Sequence, residues 1–306
     1  MTGSVRKGMI MRIVVAVFCL GVGVAVLGFG AVFAVSEWKL RDVHYDPPYD
    51  HPIPTDPLDI EHGRYIARTR GCFGCHGQDL QGKDFGEQWD WPARAVAPNL
   101  AAYAREHDAA TLEAAIRQGI GANGRALVSM PSYNFARLSD SDTADLIAFL
   151  RASPVIEHEL PTPELGWQAR WDIGFGGETH YEDWVDAVPP LRIDPRSNPA
   201  RARGEYLAMT ACNECHGLDL RGANLYGMPT PDLAIVGAIE RKEFERIVRT
   251  GRGLGQRPLG LMTLVAEDRY PALTEQDLSD LHLHLSSLLG EPPPQRVFWR
   301  PRLRDD

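Results

Sequence analysis

Cys72-Phe73-Gly74-Cys75-His76 and Cys212-Asn213-Glu214-Cys215-His216 are two copies of one pattern, a pair of thiols separated by two residues and followed at once by an imidazole. The 306-residue chain holds five cysteines and ten histidines, so chance placement would give on the order of 0.003 such patterns. The likeness extends outward on both sides. Upstream, Gly63, Tyr65 and Ala67 answer to Gly204, Tyr206 and Ala208. Downstream, His76, Gly77, Asp79, Leu80 and Gly82 answer to His216, Gly217, Asp219, Leu220 and Gly222. Pro98 and Leu100 then pair with Pro231 and Leu233, and Gly119 with Gly251, while Met130 and Met262 each follow their glycine by 11 residues. Self-similarity over this length marks two tandem copies of one structural unit.

The paired thiols admit several chemistries. A structural disulfide across two residues closes too small a loop to stabilise much. Zinc wants four ligands, whereas each copy offers two cysteines and an adjacent histidine. A thioredoxin-like pair belongs in an alternating strand and helix pattern, which this chain lacks. Haem meets every requirement: the two thiols bond to the vinyl groups on one porphyrin edge, and the next residue's imidazole reaches the iron. The expectation is two covalently bound haem c groups, held by Cys72, Cys75 and His76 and by Cys212, Cys215 and His216. Opposite the histidines, a soft thioether favours ferrous iron, and matched spacing selects Met130 and Met262. The competing reading is that each is a core methionine. Met228 ranks below Met262, because the first copy has Ala95 in its place. His282 and His284 stand where the first copy has Ile147 and Phe149, which assigns them to packing or surface, and His62, His107, His158 and His180 have no counterparts.

Each copy closes on a helix start, Ser139 to Asp142 and Thr274 to Asp277, followed by apolar periodicity at Leu146, Ile147 and Leu150 and at Leu278, Leu281 and Leu285. The fold expected is all-α, with three or more short helices per copy, long loops and no convincing strand. Both copies resemble class I cytochrome c domains, and residues 59 to 290 resemble bacterial membrane-bound dihaem cytochromes. The resemblance implies that Gly63 and Gly204 lie where the first helix crosses the last, and that the loops at Pro98 and Pro231 support the histidine side of each haem. The chain also resembles cytochrome subunits serving membrane dehydrogenases for alcohols and sugar acids. Those commonly carry three haem motifs, where this chain has two.

From Ile13 to Val35 no residue is charged, which as a helix spans roughly 34 Å and suffices for one membrane crossing. Arg6, Lys7 and Arg12 precede it, so the N-terminus is expected in the cytoplasm and the remainder in the periplasm. Cleavage after Ala34 competes with an uncleaved anchor, although the apolar run exceeds the usual signal-peptide core. Net charge is −9, and residues 1–34 hold three basic residues and no acid, which leaves −12 for the remainder and makes nucleic acid an unlikely partner. The expected organisation is an anchor at 1–36, a stiff proline-rich spacer at 37–58, haem units at 59–153 and 199–290, an inter-domain segment at 154–198 and a basic tail at 291–306. Each unit has 10 basic and 12 acidic residues, whereas 154–198 has 3 and 9 together with Trp167, Trp171, Phe175, Tyr181 and Trp184. So aromatic a segment is expected to pack across both units and fix the distance between haems.

With both irons six-coordinate, the function expected is outer-sphere transfer of single electrons, with no catalysis. The donor would be a dehydrogenase or quinol-oxidising complex and the acceptor an oxidase or another cytochrome. The alternatives are a dihaem peroxidase or a sulfur-compound dehydrogenase, both needing different iron ligation, and a haem-based sensor, which would need a signalling domain.

Overall fold

A computed structural model describes residues 2–45, 49–86, 91–176, 181–225 and 228–290. Helix α1 (Thr2–Arg41) is followed by the first unit: α2 (Pro57–Thr69), α3 (Cys72–His76), α4 (Leu100–Glu106), α5 (Ala109–Glu113) and α6 (Asp140–Ala152). Helices α7 (Trp167–Trp171) and α8 (Tyr181–Ala187) lie between the units. The second unit is α9 (Pro199–Ala211), α10 (Asn213–His216), α11 (Arg241–Thr250), α12 (Leu261–Arg269) and α13 (Glu275–Ser287). The chain is mostly helical, as expected. Three two-stranded ribbons do occur: Lys83–Asp84 with Val96–Ala97, Ala93–Arg94 with Glu164–Leu165, and Ala223–Leu225 with Met228–Thr230. At two or three residues a strand, alternation cannot show in the sequence.

The first and last helices of each unit cross where neither can carry a side chain. A Cβ added to Gly63 would lie 2.0 Å from the Asp145 carbonyl oxygen, and one added to Gly204 would lie 2.0 Å from that of Asp280. These are the crossings the resemblance implied. Capping starts the closing helices as the sequence indicated: Ser139 accepts from Asp142 N–H, and Thr274 and Asp277 form a reciprocal box. Ile66, Leu146, Ile147 and Leu150 fill the first core, and Ala208, Leu278, Leu281 and Leu285 the second. Apolar burial of this kind contributes about 1.5–3 kcal/mol per large side chain.

Among the described residues one helix, Met9–Arg41, is long and apolar enough to cross a membrane, and it fits a single-pass anchor. It runs five residues past the boundary expected at 36. The stretch after it does not hold the first unit at a distance. Ala126 N–H donates to the Leu40 carbonyl, the Tyr49 hydroxyl donates to the Asp140 carbonyl, and Tyr49 and Ile53 pack against the first core. Those apolar side chains give the segment a reason to lie down that its prolines concealed. Residues 46–48 of the stretch and the whole basic tail at 291–306 lie outside the described residues.

The segment 154–198 touches both units. Leu165 pairs with Ala93, and Ile173 joins Leu40 and Ala126 in a small third core. Farther on, Trp184 meets Tyr133 edge-on at 5.3 Å, Arg137 donates to the carbonyls of Val188 and Pro189, and Glu205 accepts from Arg192 and Ile193 N–H.

The units face one another across a pseudo-two-fold axis. Tyr65 in α2 donates to Asp277 in α13, and its counterpart Tyr206 in α9 donates to Asp142 in α6. Arg70, 2 % exposed, sits near the axis with its guanidinium 5.8 Å from the Tyr65 ring and 5.9 Å from the Tyr206 ring. It donates to the hydroxyls of Thr69 and Thr210, which are themselves repeat-related.

Candidate functional site

Both Cys-x-x-Cys-His runs are single helical turns placed directly after the crossing helix of their unit. Gly77 and Gly217 end them at φ 83° and 88°, a conformation that favours glycine. Nδ1 of His76 lies 2.8 Å from the Pro98 carbonyl oxygen, and Nδ1 of His216 lies 3.0 Å from that of Pro231. A carbonyl only accepts, so each Nδ1 carries the proton and each Nε2 keeps its lone pair. This is the arrangement that orients a ligating imidazole. Burial lowers both imidazole pKa values, which keeps the rings neutral.

Burial also pushes the thiols of Cys72, Cys212 and Cys215 up to about 12 and raises that of Cys75.

Met130 and Met262 hang from equivalent loops. Gly119 and Gly251 both adopt left-handed backbone, at φ 76° and 59°. Each accepts the closing bond of the same loop, from Leu127 N–H at 2.7 Å and from Leu259 N–H at 3.0 Å. Beyond this the copies diverge, since Met130 lies in irregular chain and Met262 in the first turn of α12. Met130 is half-buried against the core that includes Cys72, and Met262 against the core that includes Cys212 and Cys215. Met228 is exposed on a ribbon. His282 accounts for itself by packing, tilted, on Phe244 at 5.3 Å and meeting the Ile239 carbonyl, and His284 is buried at the Gly204 crossing.

Two thiols, an imidazole with its Nε2 bare and a thioether in each unit form a donor set that suits covalently attached haem. Asn134, four residues after Met130, is fully buried with neither amide atom hydrogen-bonded. Buried polar groups normally find partners, and a cofactor in the first unit would provide one.

The two motifs come together around one side chain that the sequence did not single out. Arg269 Nη1 donates to Glu214, inside the second motif, at 2.7 Å, and a Cβ on Gly71 beside the first motif would lie 2.2 Å from the Arg269 guanidinium carbon. Its charge opposes, without reversing, the rise that burial imposes on all four thiols. Tyr133 from the first unit also reaches the second motif, accepting at its carbonyl from Asn213 and directing its hydroxyl at the Glu214 carbonyl. Arg269 and Arg70 lie outside the matched motifs, so comparing the copies did not single them out.

The family model described as Cytochrome c matches residues 60–154 and again 201–289. The chain is 30 % identical over 181 residues to the cytochrome c subunit of the quinone alcohol dehydrogenase of Gluconobacter oxydans, covering 54 % of this chain and 36 % of that subunit. It is 24 % identical over 279 residues to the gluconate 2-dehydrogenase cytochrome c subunit of Pantoea cypripedii, covering 78 % and 62 %. The chain therefore spans about a third to three fifths of these relatives' length.

Proposed function

The chain belongs to the cytochrome c family and carries two covalently bound haem c groups, and from that premise we propose that it relays single electrons between its two haems and redox partners in a dehydrogenase-linked chain. Each bound haem c supplies an iron couple that gains and loses one electron. In this reading Cys72 and Cys75 hold the first haem and Cys212 and Cys215 the second. His76 and His216 would ligate through Nε2, their rings fixed by the carbonyls of Pro98 and Pro231, and Met130 and Met262 would supply the thioether ligands. Such ligation would leave no site for substrate, and the polypeptide's work would be to hold the two centres at a fixed separation and exclude water from them.

The observation that carries the relay is the junction at Arg269. Both motifs lie around one guanidinium, and the reciprocal Tyr65 and Tyr206 bonds lock that juxtaposition. The relatives are described as cytochrome c subunits of dehydrogenases and not as peroxidases, which is the finding against the enzyme alternatives. They support a membrane dehydrogenase as donor, in preference to a quinol-oxidising complex, with an oxidase or another cytochrome as acceptor. Arg6, Lys7 and Arg12 before the apolar helix support an N-terminus in the cytoplasm and haem units in the periplasm.

The test is photoinjection of one electron into the full dihaem chain. Equilibration between haems should occur at a rate independent of protein concentration. A rate that scales with concentration would overturn the relay, and rapid carbon monoxide binding by the native reduced protein would overturn the ligation.

A further inference from the structure

Helix α7 and the turn after it lie alongside α1 inside the apolar run. Phe29 packs against Trp167 in a tilted pair with ring centroids 4.2 Å apart, and the Arg170 guanidinium sits 4.1 Å from the Phe33 ring centroid. A Cβ on Gly174 would lie 3.7 Å from Ser36 N and 3.8 Å from the Val32 carbonyl oxygen, so the two main chains touch. Phe29 is six residues before Val35, about 9 Å along the helix axis from the end of the uncharged run. The short segment is itself two-faced. Ala169 and Ile173 are 0 % and 1 % exposed and pack inward. Trp167, Trp171 and Phe175, spaced four residues apart, are 44 %, 49 % and 51 % exposed and continue the bare surface of α1.

The charged groups on the segment are paired. Arg170 is held by Ser36 and Glu37, and Asp172 accepts from the Trp91 indole N–H at 2.9 Å. An aromatic stripe whose neighbouring charges are paired, starting within the outer end of an apolar span, has the chemistry of the lipid headgroup boundary.

We infer that Trp167, Trp171 and Phe175 form a second membrane contact, seated in the outer leaflet at the boundary of headgroups and acyl chains, which sets the depth and tilt of the haem units against the bilayer. This rests on Ile13–Val35 being an uncleaved span. A single helix alone leaves an attached domain free to rotate about it, and a contact at its side removes that freedom.

The full dihaem chain in nanodiscs of phosphatidylcholine and phosphatidylglycerol provides the test, in a Cys19→Ser background with a nitroxide attached at Trp171→Cys or Phe175→Cys. The oxygen to nickel-chelate accessibility ratio at both positions should exceed, several-fold, that at Leu58→Cys and Leu254→Cys, each 80 % exposed on a haem unit. A label at Leu20→Cys reports the span. Aqueous readings at 171 and 175 with lipid at 20 overturn the docking and leave the anchor standing, whereas aqueous readings at all three overturn the anchor and the docking with it. Should labelling cost a variant its haem, diazirine-bearing lipid applied to the unmodified protein gives the same decision. Adducts within 167–175 support the contact, and adducts confined to α1 overturn it.

Discussion

Tyr65 donates its hydroxyl to Asp277 at 3.0 Å across the boundary between the two haem units, and Tyr206 returns the same bond to Asp142. Each aspartate stands at the third position of its unit's closing helix, so the residues that start those helices also join the units. We predict that Tyr65→Phe and Tyr206→Phe each lower the unfolding free energy by about 1 kcal/mol, since a net hydrogen bond contributes about that much. The double variant should lose less than the sum if the units separate once either bond is gone. Denaturant unfolding of the dihaem protein measures both.

The same tyrosines make the junction alkali-sensitive. Burial, with Asp277 adding to it, raises Tyr65 to about 12, and burial with Asp142 raises Tyr206 further. Because the folded pKa lies above the ordinary value near 10, the junction is at full strength below pH 10 and weakens as pH rises through about 12. The expected outcome is a fall in thermal midpoint over that window that the Tyr65→Phe, Tyr206→Phe double variant does not show. A wild-type midpoint that is flat to pH 12 would count against it.

How far the sequence carried this reading depended on whether a feature was local. Both Cys-x-x-Cys-His runs, the glycines at the helix crossings and the capping at Ser139 and Thr274 involve neighbours within one turn or a repeat of the whole unit, and all were legible. The relation between the units was not. Tyr65 and Tyr206 could be paired as repeats, but the sequence shows Asp142 and Asp277 only as caps, because a partner 212 residues away leaves no periodic trace. Arg70 and Arg269 lie outside the matched motifs, and contacts made between the units leave no local pattern. The packing of Tyr49 and Ile53 on the first unit was hidden for a different reason: prolines around them suggested a rigid spacer, and rigidity says nothing about which surface the spacer lies on.

Gly63→Ala and Gly204→Ala should be among the most damaging small substitutions in the chain. In each, the new methyl meets main-chain oxygen at 2.0 Å, so the helices themselves must separate. We expect a loss of about 3 kcal/mol, the upper range for overpacking, together with poorer haem incorporation in the affected unit alone. Haem content by pyridine haemochrome, compared with unfolding, separates this from a general loss of stability.

For the methionines, Met130→Ala and Met262→Ala should each open one iron to carbon monoxide and lower the potential of that haem, since a thioether stabilises the ferrous state. Met228→Ala should change neither. An unaltered spectrum in the Met130 or Met262 variant would refute that residue as ligand.

Arg269 gives the sharpest test of whether the haems share one electrostatic environment. Its guanidinium is paired with Glu214, so the pair is near neutral as a whole. Arg269→Gln leaves the Glu214 carboxylate alone between the motifs. Reduction brings in an electron, and an unbalanced negative charge nearby opposes it, so both midpoints should fall by tens of millivolts. Glu214→Gln leaves the guanidinium unbalanced, and both midpoints should rise. Combining the two restores neutrality and should return the potentials close to wild type, whereas a simple packing defect would add to its partner's effect. Redox titration of the full chain resolves these cases. A shift confined to one haem would mean that the guanidinium serves a single unit, and the junction would then be a structural contact without electrical coupling.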